Sequence, residues 1–495
     1  MKNQYKLILI ALVIGFYSCS KDFLDKDPLD ELSASVAYND EAAAEGALAG
    51  AYAAMTSNDP HIYRWMYTIL GDMRADNSHS GNSQLIRNAE HFESKSTDNE
   101  PGGHCFREPF VYISAANAVL DNVPNIEDPE FSEAEKNSIL GQAYFLRAYN
   151  YFHLVRYYGG VPLQLSNLDG DIYKSRSTEQ EVYSQIEKDL LLAESLLPKE
   201  HATNFLTRSR ATQGTVQALL AKAYADIGDY EKCAEYAEKV INNGVYSLLA
   251  NYDYLFDDAH ENSAEAIFEI QHVANTSIST YAPGLFLPPG TVKNGVGAPE
   301  LWPRFSVISH DLINAFDNAG DLVRKASTTS TVTDRSKIAS PPEYFNATEP
   351  VSFSYKLGRD YEAWGSGTNV ILIRLADIIL LRAEALNKIG NTGEAINLLN
   401  QIRNRVNLPN TTATSSDDVG LAILNERRLE LALEGERFFD VVRHYGKQGA
   451  ADLFTSLEDG DGNNLGYKAT IDKLLLPIPQ SEIESNPNMS QNPGY

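Results

Sequence analysis

The chain has 495 residues, 43% of them hydrophobic, so it can bury a large core and is not a disordered polymer. Lys and Arg number 41 against 67 Asp and Glu, and the formal net charge of −26 argues against a nucleic-acid or anionic-membrane partner. Three Cys cannot build a disulfide scaffold and no Cys/His spacing suggests zinc, while 27 Tyr against 19 Phe hint at half-exposed aromatic surface.

Residues 1–18 read as a signal peptide: Lys2 and Lys6, then an apolar run from Leu7 to Tyr17. The run is well short of the about 20 residues that a spanning helix needs. Ser18-Cys19 resembles a lipobox, in which the Cys19 thiol is acylated and becomes the first residue, although Phe16 and Tyr17 depart from the usual Leu and Ala or Ser. The competing reading is an ordinary secretory signal with an incidental Cys. Residues 19–34 form an acidic tether, and its start, Ser20 to Pro28, is similar to the export tract of surface lipoproteins in Bacteroidota.

Residues 35–495 read as one mainly α domain. Helical periodicity marks Asp40–Met55, Phe110–Asn122, Ser132–Tyr157, Thr178–Leu196, Ser209–Ile227 and Tyr230–Asn242, and returns at Val370–Lys388, Thr392–Val406 and Val419–His444. This gives a helical scaffold over about 35–244 and 370–446. Between them, about 245–369 is loop-rich with short β-prone runs at Ala266–His272 and Val351–Leu357, and 447–495 is an extended, Pro-punctuated tail that lies along the body.

Two segments repeat one unit. Ala221, Tyr224, Gly228, Tyr230 and Cys233 recur at the same offsets as Ala383, Leu386, Gly390, Thr392 and Ala395, which resembles the tetratricopeptide repeat except that Thr392 replaces an aromatic. Cys233 sits where that repeat wants a small buried residue. Ile139–Gly160 and Thr178–Pro198 read as two looser copies, for about four helix pairs in all.

Asn425 to Gly446 carries alternating charge, with Arg427 and Glu430, Glu434 and Arg437, and Asp440 and Arg443 at i, i+3. A glycosidase needs two carboxyls facing each other across a cleft with one pKa raised, whereas Arg partners lower it, so an ion-paired structural helix is favoured over catalysis. There is also no H-E-x-x-H, G-x-S-x-G or P-loop. Asp459, Asp461 and Asn463 match the first ligands of an EF-hand loop, but Asn464 stands where Gly is wanted and Thr470 where Glu belongs, so this is read as a Gly-rich turn and no metal is assigned.

The Asn425–Gly446 segment and the tail, with Arg147 to Pro162 (R-A-Y-N-Y-F-H-L-V-R-Y-Y-G-G-V-P), Ile373 to Ala385 and the D-F-L-D tether, resemble the RagB/SusD family of outer-membrane nutrient-binding lipoproteins from Cys19 to Tyr495. That resemblance implies an α-helical fold of four tetratricopeptide-like pairs, no enzymatic activity and no cofactor. It also implies a lipid-anchored place on the outer membrane facing the cell exterior, as the lid of a SusC-like TonB-dependent transporter that captures glycans, or in some members peptides.

Neutral sugars offer flat C–H faces and many hydroxyls, so a site needs aromatic platforms beside polar groups. Three clusters fit. The first is His61–Trp65 leading into Gly71–Asn82, with Trp65, Asp72, Arg74, Asp76 and Asn77 as candidate contacts; the competing reading buries Trp65 and gives Asp76 and Asn77 to a turn. The second is Tyr281–Phe305, where Trp302 precedes Pro303 and is biased toward extended backbone. The third is Tyr355–Trp364, with Arg359, Tyr361 and Trp364. The expected function is capture of an oligosaccharide or polysaccharide without cleavage, the alternatives being a peptide-binding uptake lipoprotein, a tetratricopeptide scaffold that binds protein alone, and a glycoside hydrolase.

Overall fold

Helix starts are written in the sequence. Ser132, Thr178 and Thr212 each accept a hydrogen bond from the N–H three residues on, and the side chains of Glu135, Glu181 and Thr215 accept in turn from the backbone N–H of the cap, closing a capping box. A computed structural model describes residues 38–56, 67–81, 83–274 and 365–495, together with 276, 278–280, 286–287, 306–334, 345, 349–356 and 359. The signal peptide, Cys19 and the tether lie outside the described residues.

The principal helices are α1 (Glu41–Thr56), α2 (Tyr67–Met73), α3 (His104–Asn122), α4 (Glu133–Tyr158), α5 (Glu179–Leu196), α6 (Gln213–Ile227) and α7 (Tyr230–Ile241), then α8 (His310–Ala319) and α9 (Leu322–Thr328). They continue with α10 (Leu375–Lys388), α11 (Thr392–Arg405), α12 (Ser416–Glu430) and α13 (Arg437–Thr455). Neighbours pack in succession: α1 on α3, α3 on α4, α4 on α5, α5 on α6, α6 on α7, α7 on α10, α10 on α11, α11 on α12 and α12 on α13. One apolar core runs through the stack, with Ala218, Ala221, Ala383 and Ala385 where helices cross closely. Gly228 ends α6 at φ 80° and Gly390 follows α10 at φ 87°, so both repeats turn through a left-handed residue.

The expected segments Ile139–Gly160 and Thr178–Pro198 are single helices, the two arms of one pair (α4 and α5) rather than two copies. With α6/α7, α10/α11 and α12/α13, the pairs among the described residues number four. Cys233 is fully buried in α7, and so is Cys105 in α3; burial pushes both thiols up.

Among the described residues, three two-stranded antiparallel sheets interrupt the helices: β1 (Ser78–His79) with β3 (Val307–Ile308), β2 (Ala266–Ile270) with β6 (Val370–Arg374), and β4 (Thr329–Val332) with β5 (Val351–Ser354). The expected helix Val370–Lys388 therefore starts at Leu375. Val370 to Ile373 is an apolar, β-branched run that hydrogen-bonds to β2, and a run that short does not declare its own period. The loop-rich insertion likewise contains α8 and α9, each opened by a side-chain cap from Ser309 or Asp321.

The expected helix Val419–His444 breaks in two. Leu431 to Gly435 is unwound, with Leu433 at φ 63° and Gly435 at φ 88°, and this turn re-aims every charge that follows. Gly71 of α2 packs so close to Gly435 that a Cβ there would lie 1.9 Å from the Gly435 carbonyl oxygen. Of the three expected i, i+3 pairs, Asp440 with Arg443 forms at 2.6 Å. The others are replaced by longer-range bonds: Arg427 donates to Asp377 and Asp440, and Glu434 accepts from Lys356 and Arg374.

At the centre, Glu430 accepts from Arg374 at 2.5 Å, from Arg324 at 3.0 Å and from Arg405. Glu436 accepts from Arg156 at 2.9 Å and Lys222 at 3.0 Å. Burial works against both carboxylates, but the facing cations hold them well below the ordinary glutamate value of 4.5. Among the described residues, just over half of the tyrosines are buried as well. Tyr157 donates to the Tyr67 carbonyl at 3.1 Å and Tyr252 to the Glu430 carbonyl at 2.7 Å, which corrects the reading of the Tyr excess as half-exposed surface.

Replacing Glu430 by Ala leaves three buried guanidiniums short of a partner and is expected to cost about 3–5 kcal/mol in urea unfolding, where a loss under about 1 kcal/mol contradicts the assignment. The unfolded chain takes up protons near ordinary carboxylate values, so the stabilisation from these depressed groups is present above about pH 4.5 and is lost as the pH falls toward their folded values. The thermal midpoint should therefore drop as the pH goes below about 4.5, and a midpoint that holds to about pH 3 contradicts it.

Candidate functional site

The strands that adjoin the three clusters picked from the sequence, β1, β3 and β5, are neighbours. β1 follows directly on Asp72–Asn77, β3 follows the Tyr281–Phe305 segment, and β5 leads into Tyr355–Arg359. Ser78 pairs with Ile308 and His79 with Val307, and β3 lies beside β5. Beneath them Leu287, Val307, Val332, Val351 and Phe353 make a small apolar core separate from that of the stack. Phe345 lies on this patch with its ring centroid 6.5 Å from that of His79 and 4.4 Å from that of His310.

Of the expected contacts, Trp65, Trp302, Tyr361 and Trp364 lie outside the described residues. Asp72, Arg74, Asp76 and Asn77 are buried under the patch rather than exposed on it, a correction to the polar surface expected of them. The reason is the unwound turn and the arginines around it. Asp72 accepts from the backbone N–H of Gly435 at 2.6 Å and of Leu433 at 3.1 Å, and from Asn77 at 2.7 Å. Burial still pushes Asp72 up to about 7. Asp76 takes both prongs of Arg437 at 2.7 Å, and Arg428 reaches Asn77 at 2.9 Å and Asp311 at 2.6 Å. Arg74 lies between the rings of Phe92 and Phe438 and donates to the carbonyls of Lys473 and Leu474, holding the tail.

Arg359 is placed differently. It donates to both oxygens of Asp253, at 2.8 and 2.6 Å, and to the Ser327 carbonyl at 3.1 Å, with its guanidinium 4.6 Å from the Tyr355 ring centroid. The pair lines an open cleft of about 550 Å³ with Asp257, Asp258, Val323, Ala326, Ser327 and Tyr355. The aspartates were missed in the sequence, although Asn251 to Asp258 (N-Y-D-Y-L-F-D-D) interleaves aromatics and carboxylates. Just past the third cluster, Ser366 and Thr280 exchange backbone hydrogen bonds at 2.8 and 2.7 Å, and Asn369 donates to Glu261 at 2.7 Å and to Glu269 at 3.0 Å. Burial, with Glu269 and Asp258 adding repulsion, pushes Glu261 up to about 7.

Glu430 and Glu436, the carboxylates of the charged segment most enclosed by cations, stay ionised and cannot serve as proton donors. Asp459 accepts from the N–H groups of Asp461 and Asn463 within its own turn, and among the described residues no group of three or more His, Cys, Asp or Glu is arranged to hold a metal. Asp76→Asn should cost about 3 kcal/mol or more in unfolding because it strands Arg437 in the interior, whereas Arg359→Ala, whose partner is half exposed, should cost only about 1 kcal/mol. Urea titrations that reverse this order contradict the division between buried support and open cleft.

Residues 22–225 match the family described as "Starch-binding associating with outer membrane", and residues 314–495 match the "SusD family". The chain is 29% identical to SusD-like protein P2 of Formosa agariphila over 100% of both chains, and 26% identical to the starch-binding protein SusD of Bacteroides thetaiotaomicron over 77% of this chain and 76% of that one. A solved laminarin-binding SusD-like protein superposes with a TM-score of 0.75 at 26% identity, covering 92% of this chain and 100% of its own. A SusD superfamily protein from Bacteroides vulgatus shares the fold at a TM-score of 0.76 and 23% identity. Two matches that between them take in most of the chain, relatives that span it and a common helix-rich fold lead to one conclusion: the chain belongs to the SusD family of glycan-binding proteins.

Proposed function

We propose that this protein captures an oligosaccharide or polysaccharide at the cell surface and delivers it, uncleaved, to a SusC-like TonB-dependent transporter over which it acts as a lid. The observation that carries the reading is that β1, β3 and β5, the strands adjoining the three aromatic and polar segments, pack together over a small apolar core separate from that of the helical stack. The names of the relatives support it, one starch-binding and one laminarin-binding. Trp65, Trp302, Tyr361 and Trp364 are proposed as the stacking platforms, and Cys19 as the acylated residue that anchors the chain to the outer membrane. No helix among the described residues is long and apolar enough to cross a membrane, in keeping with attachment through the N-terminal lipid.

Incubation of the mature protein with a glycan panel that includes maltoheptaose and laminarihexaose tests the reading. Retention without new reducing ends is expected, and Trp65→Ala and Trp302→Ala should each abolish it. Cleavage, or failure to retain any glycan while a protein partner is still pulled down, overturns the proposal. In cells, Cys19→Ser should release the chain from the outer membrane and end its copurification with a β-barrel partner, and an unchanged fractionation contradicts the anchor.

A further inference from the structure

The short turn around Tyr254 lies outside every cluster picked from the sequence. The Tyr254 ring is 40% exposed and lies flat against His260, with centroids 3.7 Å apart and planes 7° apart. Asp257 Oδ2 lies 3.1 Å from His260 Nδ1. A surface tyrosine backed by a second, stacked ring is already in place for stacking, so a ligand pays little rotamer entropy to use it. On the same turn Asp253, Asp257 and Asp258 line the cleft beside Arg359, opposite Val323, Ala326 and Tyr355. Asp253 is fixed by the two-pronged bond from Arg359, and Asp258 accepts from Thr368 at 2.6 Å.

Building on the glycan-binding reading, we propose that Tyr254 and this cleft form a subsite selective for a neutral sugar ring. The C–H face of the sugar lies on the open side of Tyr254, its hydroxyls donate to the carboxylates of Asp253 and Asp257, and Val323 and Ala326 shield the far edge. Three carboxylates against the single guanidinium of Arg359 leave the cleft net negative. Lys325, on the same helix as the apolar wall, is turned to Asp317 at 2.5 Å and does not offset that charge. A uronate or a sulfated sugar would meet like charge at close range, so discrimination comes from repulsion as well as fit. The subsite is distinct from the proposed tryptophan platforms and would extend the bound length of a glycan.

Isothermal titration of the mature protein with maltoheptaose and laminarihexaose, and with their carboxymethylated forms, tests it. Tyr254→Ala should bind the neutral oligosaccharide about tenfold more weakly with an unchanged melting temperature, and Tyr254→Phe should retain affinity. Asp257→Asn should narrow the gap between neutral and carboxymethylated ligand. Wild-type affinity in Tyr254→Ala, or an anionic ligand that binds as well as the neutral one, overturns the subsite and leaves the glycan-binding reading standing. If the wild-type protein binds neither oligosaccharide in solution, crystals soaked in maltotriose and laminaritriose decide: sugar stacked on Tyr254 supports the subsite, and an empty cleft overturns both readings.

Discussion

Glu430 has no exposed surface, and its carboxylate is met by Arg324 from the inserted region, Arg374 from the end of β6 and Arg405 from the end of α11. Those arginines spread the tie outward: Arg324 also takes Asp321 and Glu426, Arg374 takes Glu265 and Glu434, and Arg405 takes Glu265. One side chain thus joins the repeat stack to the part of the chain that carries the loops. Desolvating such a group is expensive unless every lone pair is used, so the array tolerates little displacement and fixes the relative placement of the elements it joins.

The unwound turn at Leu431–Gly435 extends that constraint to the site. Its N–H groups point at Asp72, its Glu434 takes Lys356 of the third cluster, and Glu436 and Arg437 just beyond it reach the stack and Asp76 respectively. The residues under the patch are polar because they must satisfy backbone and guanidinium groups in the interior.

Much of the scaffold was legible. Helical periodicity and the small residues of the two repeats place α4, α5 and α7 to within a residue or two, while α6 starts at Gln213 rather than at the expected Ser209. What the sequence hides is tertiary: Val370–Ile373 pairs as a strand only because β2 lies alongside, and the charged run after Asn425 breaks only because Asp72 and Gly71 receive the turn. The same blindness governed the site. Asp72 to Asn77 show the composition of a ligand surface, yet Arg428 and Arg437, more than three hundred residues later in the sequence, draw them inside. Arg359 was found, but its partner Asp253 and the ring of Tyr254 were not, because they follow a helix pair and carry no turn or repeat signature of their own.

The central claim is that the loop side holds the ligand while the helical stack serves as its support. Hydrogen–deuterium exchange of the mature protein with and without a retained oligosaccharide measures this directly. The account predicts slowed exchange in peptides from the loops that meet at β1, β3 and β5, with α4, α6, α7, α10 and α11 unchanged. Protection along those helices with none in the loops would contradict it.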